Sequence, residues 1–257
     1  MIVDVSKKIL IVGLGLLGGS YARALKRFGF HISVITKEQS SIDYALREGI
    51  IDEGSTELDE TIIGKADLVI FALYPHVFVE WIEQNQHLLK PGALLTDVTG
   101  VKGSIVSRVQ NLLRPDVEFI AAHPMAGREF SGFANARGDL FENASMILCP
   151  AAEVPIEIRE TVKAFFLEAG FKMVRFCTPE AHDQMIAYTS QLAHVVSGAY
   201  IKNPLAPCHK GFSAGSFLDM TRVARMNEVM WTELFLENND LLLPAVDDLI
   251  FRLNQYR

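Results

Sequence analysis

Residues 7–20, KKILIVGLGLLGGS, decide the fold. The run Lys8–Val12 is short and apolar, with lysine before it and glycine after it, which reads as a strand buried on both faces. Gly13-x-Gly15-x-x-Gly18 follows at once and opens a helical pattern. In that context each glycine has a physical reason. Gly13 permits the tight turn, Gly15 lets the backbone approach a pyrophosphate, and Gly18 lets helix and strand pack closely. The N-terminus of the helix that the motif opens presents unpaired N–H groups and a positive dipole end to the phosphates. Gly13, Gly15, Leu16, Leu17 and Gly18 are therefore the expected dinucleotide contacts.

Working outward, short apolar runs alternate with helical patterns. Strands are expected at 32–35, 68–73, 94–98, 118–122, 146–148 and 172–176. Helices are expected at 18–28, 41–48, 77–89, 103–113 and 155–169, the last ended by Gly170. Strands separated by single helices predict an α/β fold, a Rossmann-type doubly wound parallel sheet. After Pro179 the pattern is helical throughout, with a last helix at 239–253. The expected organisation is a dinucleotide-binding domain over 1–178 and a helical substrate and dimerisation domain over 179–257. A helical segment that short hardly encloses its own core, which predicts packing against a second copy.

The 257-residue chain is 49% hydrophobic and carries a formal charge of −7. An acidic surface disfavours nucleic acid and requires local cations for any anionic substrate. The three cysteines, Cys149, Cys177 and Cys208, share no metal-ligand spacing and read as inert thiols; no metal site is expected. No cleavable leader and no apolar run long enough to span a membrane are read, so a cytoplasmic protein is expected.

The second strand ends in ITKEQSS, at 35–41. Thr36 occupies the position where an acidic residue binds the adenosine ribose in NAD enzymes, and Lys37 with the serines can hold a 2'-phosphate. The balance leans to NADP over NAD, with Glu38 the competing selector. Asp97 and Thr99 end a strand in LLTDVTGVKG, at the sheet edge where ligands bind; Asp97 is expected on the cofactor side. His123 follows EFIAA directly in HPMAGREFSG, with Pro124 stopping the strand. A histidine there can take a proton from a substrate hydroxyl as hydride leaves for the cofactor. Asp183, Ser190 and His194 lie within about 40° of one another at helical spacing, as either a satisfied buried network or a site lining. Arg222 can clamp a carboxylate or pair with Asp219 or Glu228.

Taken together, GLGLLGGS (13–20), TDVTGVKG (96–103), HPMAGREFSG (123–132), HDQMIAYTSQLAH (182–194), and FLDMTRVAR with MWTELFLEN (217–225, 230–238) resemble the prephenate/arogenate dehydrogenase family of tyrosine biosynthesis. The motifs occur in the family's order over nearly the whole chain. The resemblance implies a homodimer and oxidative decarboxylation of prephenate, or of arogenate, by NAD(P)+. It implies that His123 is the catalytic histidine and that His194 and Arg222 bind substrate. Ser190, Glu129 and Asp183 then belong to the site and its supporting network, with Asp219 supporting Arg222 and Arg128 a second cation for a dianionic substrate. The sequence departs from the family's pattern at Gly100, where serine is usual, and at Arg128 and Leu218. Either Thr99, beside Gly100, is the source of the missing hydroxyl, or that hydrogen bond is absent. Related Rossmann dehydrogenases of β-hydroxy acids or imines use a lysine in the helical domain, against which the strand-end histidine argues.

Overall fold

The computed structural model describes residues 5–127 and 130–257, so Arg128 and Glu129 lie outside the described residues. By backbone contacts the chain divides into two compact units, Met1–Thr178 and Pro179–Arg257.

The first unit is built on one eight-stranded sheet in the order β3-β2-β1-β4-β5-β6-β7-β8. The strands are β1 (Lys8–Val12), β2 (His31–Ile35), β3 (Glu53–Ser55), β4 (Leu68–Phe71), β5 (Leu94–Asp97), β6 (Glu118–Pro124), β7 (Ser145–Pro150) and β8 (Met173–Phe176). Six helices connect them: α1 (Leu16–Lys26), α2 (Gln39–Arg47), α3 (Glu60–Ile63), α4 (Pro75–Asn85), α5 (Gly103–Leu112) and α6 (Ile156–Glu168). The strands from β1 to β6 pair in parallel, which places their carboxyl ends on a single edge. The central β4, LVIF, is buried at every position, as a strand covered on both faces must be. On one face Tyr21 of α1 lies with its ring centroid 4.3 Å from that of Phe141, and Phe141 stacks 4.8 Å from Phe171. These rings join Phe165 and Phe166 of α6 in the core.

The structure departs from the sequence expectation in three places here. β3 and α3 were not legible: EGS carries no apolar run, and β3 exists because its backbone extends the ladder of β2. α3 is a single turn, capped by the Asp59 carboxylate accepting from Thr61 N at 2.8 Å and Ile62 N at 3.2 Å. The sheet is also not wholly parallel, because β7 runs antiparallel to β6. That pairing extends β6 through His123 and Pro124, opposite Ile147 and Met146, so Pro124 closes the strand from within it. A last strand residue need donate no ladder hydrogen bond, which is what proline tolerates.

The second unit contains α7 (Pro179–Ile186), α8 (Leu192–Ile201), α9 (Gly215–Thr221), α10 (Glu228–Glu237) and α11 (Asn239–Gln255), with short 3₁₀ turns between them. A π-helical turn, Ala187–Gln191, joins α7 to α8. Its wider turn breaks the 3.6-residue period on which the stripe of Asp183, Ser190 and His194 was placed. Much apolar side chain is left uncovered in this unit, including Leu205 at 75%, Phe212 at 95% and Leu236 at 67% exposure. No helix among the described residues is long and apolar enough to cross a membrane.

Candidate active site

The glycine turn sits at the carboxyl end of β1, where strand order reverses between β1 and β4. Gly13 has φ +97°, and its N–H donates to Ile35 O at 2.8 Å. A Cβ on Gly13 would stand 2.5 Å from Ala72 O, and one on Gly18 only 1.9 Å from Gly13 O. Both positions are closed to any side chain. Gly15, the N-cap of α1, differs: a Cβ there would meet nothing within 4 Å. A closed turn with open space above its middle glycine is the cradle a pyrophosphate needs, with Leu16 and Leu17 supplying first-turn N–H groups. The residues present fit a dinucleotide. Gly19 is equally constrained, since a Cβ would lie 2.5 Å from the Phe133 ring; GG in the motif serves packing as well as phosphate.

At the end of β2, the Thr36 hydroxyl accepts from Leu14 N at 3.3 Å, which ties it to the glycine turn. Lys37 is exposed, and Ser41 holds the Glu38 carboxylate.

At the end of β5 the structure shows what holds Asp97 and Thr99. Asp97 is 1% exposed. Its Oδ1 accepts from Ala122 N at 2.8 Å, and its Oδ2 accepts from Thr99 N at 2.9 Å, from the Thr99 hydroxyl and from Lys102 Nζ at 2.6 Å. These internal donors bind the carboxylate, so Asp97 fastens β5 to β6. Thr99 is likewise buried, with its proton on Asp97 and its oxygen accepting from Lys102 Nζ at 2.8 Å. Lys102, whose side chain is wholly buried, is the residue the sequence reading missed. Its signal was there: one cation in the otherwise uncharged stretch VTGVKGSIV (98–106). The charge of Asp97 also reaches Tyr21, whose hydroxyl is pushed well above its ordinary pKa first by burial and then by Asp97.

His123 lies one residue beyond Ala122 and is half-buried. The parallel run from β1 to β6 thus brings the glycine turn, the Asp97–Lys102 pair and His123 to one sheet edge.

In the second unit the expected stripe separates. Asp183 is buried, its Oδ1 2.6 Å from His182 Nδ1. Asn238 donates to Asp183 O at 3.0 Å and to Gln191 Oε1 at 2.7 Å, and Gln191 donates to Leu234 O at 2.7 Å. That is a satisfied buried network. Ser190 and His194 are half-buried, with His194 Nδ1 2.9 Å from Ser190 O. The His194 ring lies against Trp231, centroids 3.7 Å apart, so its Nδ1 and one ring face are fixed. Arg222 and Asp219 are exposed at the end of α9.

The sequence profile of the prephenate dehydrogenase nucleotide-binding domain matches residues 21–175, and that of the prephenate dehydrogenase dimerization domain matches residues 178–257. The chain belongs to the prephenate dehydrogenase family. It is 31% identical over 256 residues to the prephenate dehydrogenase of Bacillus subtilis, covering 97% of this chain and 69% of that protein. Among solved structures it resembles the A. aeolicus prephenate dehydrogenase in complex with hydroxyphenyl propionate and NAD+, with TM-score 0.87 and 31% identity over 97% of this chain and 88% of that one. The Synechocystis arogenate dehydrogenase is similar as well, with TM-score 0.82 and 29% identity over 96% of this chain and 90% of that one. This prephenate dehydrogenase-family chain is a nicotinamide-dependent dehydrogenase by the same relationship. Its glycine turn precedes the matched residues 21–175 and is established by its own geometry.

Proposed function

We propose that the chain oxidatively decarboxylates prephenate to 4-hydroxyphenylpyruvate, with His123 as proton acceptor. The observation that carries the reading is the position of His123 on the same sheet edge as the glycine turn, in a chain of this family. Bound at that turn, NAD(P)+ supplies the hydride acceptor. His123 accepts the proton of the ring hydroxyl as the carbinol hydride leaves; the bond to the ring carboxylate breaks, CO₂ departs, and the electron pair aromatises the ring and comes to rest on the ring oxygen, which takes the proton back from His123. The aromatic product makes the reaction effectively irreversible, so the chain's residues mainly position substrate and hold one proton.

Prephenate is a dianion and the protein is acidic, so local cations must hold it. Arg222 is the carboxylate clamp, aided by His194 and Ser190; for Arg128 and Glu129, outside the described residues, substrate binding rests on the sequence alone. Ser190 O fixes the orientation of the His194 ring through Nδ1. Asp219 supports Arg222, and Asp183 acts at a distance, through the buried Asn238–Gln191 network that anchors the helix carrying Ser190 and His194.

The lean to NADP rests on Thr36 and the exposed Lys37, since no carboxylate stands at the first ribose position. Lys37→Glu should lower kcat/KM with NADP+ and spare NAD+; equal loss with both would remove Lys37 as a selector. The uncovered apolar side chains of the second unit support a homodimer through it, in line with the dimerization-domain match. A monomeric mass by sedimentation at micromolar concentration would overturn that.

The deciding assay measures reduced nicotinamide for prephenate and arogenate with each cofactor. Turnover of prephenate at the highest kcat/KM is expected. A clear preference for arogenate would reassign the substrate, and no turnover of either would end the proposal.

A further inference from the structure

Cys149 and Cys177 are 28 residues apart in the chain, yet their sulfurs lie 3.7 Å from one another. The sheet register makes the encounter. β7 and β8 run parallel with Leu148 opposite Phe176, so each cysteine is the next residue on its side. Cys177 N donates to Leu148 O at 3.1 Å, which carries the ladder up to the pair. Neighbouring strands stand about 4.8 Å apart, within the Cα separation of roughly 4.4–6.8 Å that a disulfide spans. The backbones are already placed, and bond formation needs the sulfurs to close by about 1.7 Å. The two thiols differ in access: Cys149 is 1% exposed and Cys177 is half-buried.

We propose that Cys149 and Cys177 form a dithiol that converts reversibly to an internal disulfide on meeting a low-molecular-weight disulfide. The accessible Cys177 thiolate attacks one sulfur of the oxidant. The oxidant's S–S bond breaks, and one thiol leaves with the electron pair and takes up a proton. Cys149 then attacks the Cys177 sulfur of the mixed disulfide and expels the second thiol. Two protein thiols lose two electrons and two protons, and one small disulfide becomes two small thiols. The bond pins the end of β8, an edge strand paired only to β7, at the point where the chain leaves the first unit after Thr178.

The test uses the full chain with Cys208→Ser, which removes the exposed third thiol, incubated natively with oxidised glutathione. Intact mass should fall by two hydrogens, with a non-reduced peptide joining residues 149 and 177, both reversed by dithiothreitol. Adding Cys149→Ser should halt the reaction at one glutathione on Cys177. Hydrogen exchange at Val174–Phe176 should slow in the oxidised protein. Retention of both thiols, or a stable glutathione adduct without the internal bond, overturns the proposal.

Discussion

Lys102 Nζ lies 2.6 Å from Asp97 Oδ2 with both side chains wholly buried, so the end of β5 carries an ion pair sealed inside the sheet edge. Removing one member leaves the other charge uncompensated, which costs about 3–5 kcal/mol, whereas replacing both with apolar groups costs far less. Lys102→Met and Asp97→Leu should therefore each lower urea stability by that order, and the double variant by clearly less than their sum. Additive losses would show that the two residues act separately.

The glycine turn predicts a split between two similar substitutions. Gly18→Ala drives a Cβ into Gly13 O, so unfolding at lower temperature is expected along with poor cofactor binding. Gly15→Ala meets no protein atom within 4 Å, so its thermal midpoint should stay near wild type while KM for the dinucleotide rises. Equal destabilisation by both would contradict the open space above Gly15.

His123→Asn keeps a polar side chain in β6 and removes the proposed proton acceptor. General-base loss is typically worth roughly 100- to 10,000-fold. Single-turnover hydride transfer should fall by that factor, with dinucleotide affinity by titration nearly unchanged. Survival of the rate would place the proton acceptor elsewhere.

Arg222→Ala should raise KM for prephenate by at least about tenfold, the loss of one charge-assisted pair. The dinucleotide KM should not move. An unaltered prephenate KM would reject the clamp.

Asp67 gives a pH dependence with a fixed sign. Burial works to raise its pKa, but Lys90 Nζ at 2.6 Å and Lys8 N at 3.0 Å prevail and hold the carboxyl below its usual range. A depressed pKa contributes stability that is complete above the unfolded value and lost as pH falls through the folded one. The stability gap between wild type and Asp67→Asn should thus be full at neutral pH and close below about pH 4. A gap that widens in acid would reverse the assignment.

The sequence alone determined what depends on neighbours along the chain. Gly13, Gly15 and Gly18 state the turn because φ +97° at Gly13 and the missing Cβ at Gly18 are requirements of single residues. Apolar runs such as LVIF state buried strands for the same local reason, and the loss of strand pattern after Pro179 is equally local. Only the tertiary structure decided what depends on residues meeting across the sheet or across helices. The antiparallel β7 extends β6 past His123, the π turn sends Asp183 into a buried network apart from Ser190 and His194, and Asp97 turns inward because Lys102 and Ala122 N are there to receive it. The physical reason is that a carboxylate's role follows from which donors surround it, and those donors arrive from strands and loops that the local pattern does not place.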